Sequence, residues 1–148
     1  MKPIFVPVIV GMITPSLIIV LMQVFLGEYS IGQAVNDTIS KQFEDGHNLF
    51  GLALTGIIPF VLLSIMLFFF GRKHNTKKVA VIMLCGLFGI LVLMVPAHYS
   101  VWAPLYDDSH MSSTAVIAFL FIPFYCIVPM LIGVLIGYGI IKEYASKI

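Results

Sequence analysis

The chain has 148 residues, of which 60% are hydrophobic and only 10% charged; its mean hydropathy is +1.07 and its formal net charge +1. Soluble domains carry about a quarter charged residues, so this composition excludes an ordinary soluble domain. No basic tract is present, which argues against a nucleic-acid partner.

Four stretches, about 4–26, 49–70, 79–97 and 114–141, contain no Asp, Glu, Lys or Arg. A helix crossing a bilayer needs ~20 apolar residues to span ~30 Å of hydrocarbon. The expected fold class is therefore all-α and integral to the membrane: a four-transmembrane-helix bundle with Pro-kinked helices, in a single membrane-embedded domain over residues 1–148.

In chain order, Met1 and Lys2 precede an apolar run longer than a signal-peptide core, and no A-x-A cleavage site follows it. The run reads as a retained first span. It carries Pro7 and Pro15, and near its outer end Gln23, the strongest polar group inside any span. Gln23 reads as a helix–helix contact or an interfacial group.

In the first connection, Ile31, Val35, Ile39 and Phe43 recur every four residues, with Ser30 in position to cap a helix and Gly46 to end it. The pattern predicts a short amphipathic helix on the outer surface or roofing the bundle. The second span contains Pro59. Arg72, Lys73, Lys77 and Lys78 crowd the connection after it, whereas the other two connections hold one cation, Lys41, and six of the seven acids. The positive-inside rule then places the 71–78 connection and both termini in the cytoplasm, with those four cations determining topology.

The third span offers Cys85 and Gly89, and the fourth Gly133 and Gly137, all at four-residue spacing. Small residues let helix backbones approach closely, so these four positions are the expected packing or interaction face. Cys85 and Cys126 are not spaced as a redox motif and read as packing residues. The fourth span also carries Pro123 and Pro129. Prolines inside helices remove a backbone hydrogen bond and bend the axis.

The third connection, taken as 98–113, is aromatic and acidic. His47, His98 and His110 collect on the expected outer side together with Asp107 and Asp108. Imidazole and carboxylate suit Zn²⁺ or Cu²⁺, but the spacing matches no metal motif, and solvated loop residues are the plainer reading. No cofactor is expected on this basis. No intramembrane acid, nucleophile constellation or phosphate loop stands out, which disfavours catalysis.

The leading functional expectation is a multi-pass protein of a bacterial inner membrane that is not an enzyme. It would act through helix–helix or outer-loop contact with a membrane protein or membrane-inserted toxin, as an immunity or accessory protein. The alternatives are a homo-oligomeric channel or transporter, and a metal- or cofactor-binding protein using the outer His and Asp residues.

Overall fold

The computed structural model describes residues 3–43, 55–103 and 120–145. These residues form helices, with no strand among them. A 3₁₀ turn, Pro3–Phe5, leads into α1 (Val6–Phe25); α2 (Ile31–Phe43), α3 (Ile58–Gly71), α4 (Thr76–Trp102) and α5 (Ile127–Ala145) follow. Residues 120–125 are also helical and run into α5.

Three helices are long and apolar enough to cross a membrane: Val6–Phe25 with 20 residues, Thr76–Val101 with 26 and Leu120–Glu143 with 24. Well under half of each is buried within the protein. The outward remainder is apolar, with Met12, Leu84, Phe88, Leu135 and Ile136 all exposed. Such a surface is stable in hydrocarbon and costly in water. The α3 helix has 14 residues, about 21 Å at 1.5 Å per residue. Residues 55 and 56 before it are helical, and 49–54 of the expected second span lie outside the described residues.

Two helix interruptions among the described residues fall two or three positions before prolines. Pro7 sits in the first turn of α1, where a missing N–H leaves no bond unmade. The helix preceding α3 is interrupted at Ile57, and the one preceding α5 at Cys126. Pro59 and Pro129 have no N–H to give the carbonyls four residues earlier, those of Thr55 and Tyr125. Pro15 lies inside α1, and Pro96 inside α4; sequence reasoning passed over Pro96.

The apolar stretch 79–97 belongs to a longer helix: α4 runs from Thr76 through His98 and Tyr99 to Trp102. Nothing between Ala97 and Ala103 breaks a helix, and polarity alone does not end one.

The core is built around α3. Its Phe60, Leu63 and Leu67 are fully buried, as are Ile82, Ile90 and Met94 of α4, with Met130 of α5 almost so. Two glycines let α1 and α3 approach. A β-carbon on Gly11 would lie 2.7 Å from the Phe60 ring, and one on Gly56 would lie 3.0 Å from Pro15 Cγ.

The α1–α2 turn places Glu28 at φ 54°, a left-handed conformation that L-residues other than Asn and Asp seldom adopt. A reciprocal capping box then starts α2: Gln33 N–H donates to Ser30 Oγ at 3.4 Å, and Ser30 N–H donates to Gln33 Oε1 at 3.1 Å.

Candidate functional site

The most extensive helix contact is between α4 and α5, and it is made of backbone. A β-carbon on Gly133 would lie 2.2 Å from the Cys85 carbonyl oxygen; one on Gly89 would lie 2.2 Å from that of Pro129. One on Gly137 would lie 2.9 Å from Ile82 Cα and 3.2 Å from Cys85 Cβ. As numbers rise along α5 they fall along α4, so the two helices run antiparallel. Gly133 and Gly137 thus meet Cys85 within the chain, and Gly89 meets Pro129 on the same seam. Gly86 joins them, with Leu63 Cδ1 2.6 Å and Val134 Cγ2 3.2 Å from where its β-carbon would be. The cluster of small residues at 85, 86 and 89 is the signal that reveals Gly86.

At the other end of the bundle, Gln23 is 4% exposed and hydrogen-bonded through both its amide nitrogen and its amide oxygen. Its Nε2 donates to Asp37 Oδ2 at 2.6 Å, and its Oε1 accepts from Thr38 Oγ1 at 3.2 Å. Both partners lie on α2, so one amide clamps α2 to the end of α1. Sequence reasoning singled out Gln23 but not Asp37 or Thr38, because the pairs are 14 and 15 positions apart.

This clamp decides which face of α2 meets the bundle. Ala34 is fully buried and Thr38 nearly so, whereas Ile31, Val35 and Ile39 are 70%, 40% and 55% exposed. Successive helix positions are 100° apart, so the Ile/Val row lies about a quarter-turn from the seated face. Tyr29, Gln33, Asn36, Asp37 and Ser40 line an open depression beside it, of about 400 Å³.

The α3–α4 turn carries the cations. Asn75 caps α4 by accepting from the Lys78 N–H at 3.0 Å. The Arg72 guanidinium lies 4.6 Å over the Phe68 ring. His74 stacks near Phe70 at 6.2 Å and meets Tyr138 of α5 at 6.1 Å, which ties the turn to the bundle. Lys73 and Lys77 are exposed and Lys78 is half-buried. Ile4, Phe68, Gly71, Arg72, His74, Thr76 and Val79 surround a pocket of about 290 Å³ here.

His98 is buried in α4, with Nδ1 2.8 Å from the Met94 carbonyl oxygen of its own helix. His47, His110, Asp107 and Asp108 lie outside the described residues. Among the described residues, no three of the His, Cys, Asp and Glu side chains come together to hold a metal ion. Cys85 and Cys126 are free thiols. Ser64, buried in α3, has a hydroxyl that finds no hydrogen-bond partner among the described residues.

These features define a class: an all-helical protein with three apolar helices long enough to cross a membrane, two of which meet through backbone-to-backbone glycine contacts. Comparison with protein-family models, curated proteins and solved structures gives no significant match.

Proposed function

We propose that the chain is a small four-span protein of a bacterial inner membrane, with both termini in the cytoplasm, that acts by docking a second membrane component, as an immunity or accessory protein does. The observation that carries this reading is the attitude of α2. Gln23 holds the helix by Asp37 and Thr38, and Ile31, Val35 and Ile39 remain exposed. A rigidly seated helix with an open apolar row resembles one half of a helix-in-groove contact. Recognition of that kind needs shape and apolar area rather than ionisable groups. The four-span count is supported by the charge-free 49–70 stretch, and the orientation by Arg72, Lys73, Lys77 and Lys78 in one short connection.

The test is gentle extraction of the tagged protein from its native membrane, followed by identification of what accompanies it. A distinct membrane protein or toxin at near-equal stoichiometry supports the reading, provided that Ile31→Asn/Ile39→Asn loses it and keeps the wild-type melting temperature. A defined homo-oligomer alone would replace it with a channel or transporter, and flux assays in liposomes would follow.

A further inference from the structure

We propose that the pocket beneath the α3–α4 turn binds the phosphate of an anionic membrane lipid. The inference rests on the membrane placement of the long helices and is independent of the docking partner.

The pocket has two chemically distinct sides. Ile4, Phe68 and Val79 give it an apolar wall, and Arg72, His74 and Thr76 give it polar groups; its volume is about 290 Å³. Among the described residues, no carboxylate lines it. Arg72 offers only donors, and His74 and Thr76 each add one, so the arrangement favours an anion. The guanidinium is oriented over Phe68 at 4.6 Å. The His74 ring is oriented by Phe70 and Tyr138. Lys73, Lys77 and Lys78 adjoin it in sequence and raise the local positive potential.

Position selects the source of the phosphate. The pocket lies where α1 and α4 begin and α3 ends, at the polar ends of two helices long enough to cross the membrane. Ligands reaching that level carry a headgroup on one side and an acyl chain on the other, matching the two sides of the pocket. Basic pockets between transmembrane helices hold anionic headgroups in this way. A free phosphate would leave the wall of Ile4, Phe68 and Val79 uncovered.

The experiment is native mass spectrometry of the purified full-length protein in neutral detergent, titrated with phosphatidylglycerol, phosphatidylcholine or inorganic phosphate. One phosphatidylglycerol should be retained in preference to phosphatidylcholine. Retention should fall about fivefold in Arg72→Gln and further in Arg72→Gln/His74→Gln, which also removes the imidazole donor, both keeping the lipid-free melting temperature. Lys142 is exposed and lies at the same end of the bundle, so Lys142→Gln should bind as the wild type does. Equal loss in Lys142→Gln would reduce the effect to diffuse charge and overturn the site. Displacement of the lipid by equimolar inorganic phosphate would assign the pocket to a soluble anion instead.

Discussion

Gly133 packs so tightly against Cys85 that a β-carbon on Gly133 would stand 2.2 Å from the Cys85 carbonyl oxygen. Backbone cannot swing aside as a side chain does, so even one methyl must push α4 and α5 apart. Overpacking of this kind costs about 1–3 kcal/mol, more than the ~1 kcal/mol that alanine gains over glycine in a helix. Gly133→Ala and Gly89→Ala should each lower the thermal midpoint in detergent by several degrees. Gly137→Leu should do more, and abolish assembly. Gly139, with nothing within 4 Å of its β-carbon position, is the control. If Gly139→Ala were as harmful as Gly133→Ala, helix flexibility rather than helix approach would be the function of these glycines.

Gln23 makes a second prediction. It alone, among the hydrogen bonds described between side chains, joins α1 to α2, through Asp37 and Thr38. Hydrogen bonds to charged groups contribute about 1.5–3 kcal/mol. Gln23→Leu should therefore free α2 while leaving the rest of the bundle folded. Amide hydrogen exchange should rise by one to two orders of magnitude in α2 and stay unchanged in α4 and α5. Uniform acceleration across all helices would show that Gln23 supports the whole bundle.

How much of this could be read from the residues depends on the range of the forces involved. The long apolar helices follow from runs without charge, because the burial of uncharged side chains is a local property. The small residues at 85, 89, 133 and 137 are visible by spacing. Their pairing is not, since it joins segments almost fifty positions apart. In α2 the conspicuous row of Ile31, Val35 and Ile39 is not the seated face; Gln23, on another helix, selects Ala34 and Thr38 instead. The end of α4 is not legible from hydropathy, because His98 and Tyr99 look like loop residues there while the helix continues through Trp102.

The cations of the α3–α4 turn predict an orientation. Arg72, Lys73, Lys77 and Lys78 form the densest positive cluster in the chain, and such loops resist translocation. Single cysteines placed at 75 and 142 of a Cys85→Ala/Cys126→Ala background should be protected from an impermeant thiol reagent in intact cells. One at 33 should react. Replacing all four cations by Glu should disturb this map. An unaltered map would mean that other features of the chain set its orientation.

Ser64 gives a prediction of opposite sign to those for Gly133 and Gln23. Its hydroxyl is buried in α3 beside Phe60 and Leu67 in the helix, and it has no hydrogen-bond partner among the described residues. A serine in a membrane helix ordinarily bonds to its own carbonyl four residues back, as Thr14 does to Val10 at 2.7 Å. An unsatisfied buried hydroxyl costs about 1–3 kcal/mol, whereas the volume lost on removing one oxygen is small. Ser64→Ala should therefore raise the thermal midpoint by a few degrees or leave it unchanged. Ser64→Val, adding volume in a filled core, should lower it. A clear loss of stability in Ser64→Ala would mean that the hydroxyl is satisfied in the assembled protein, by water or by a neighbouring chain. The Ser64 face of α3 would then become the place to look for that contact.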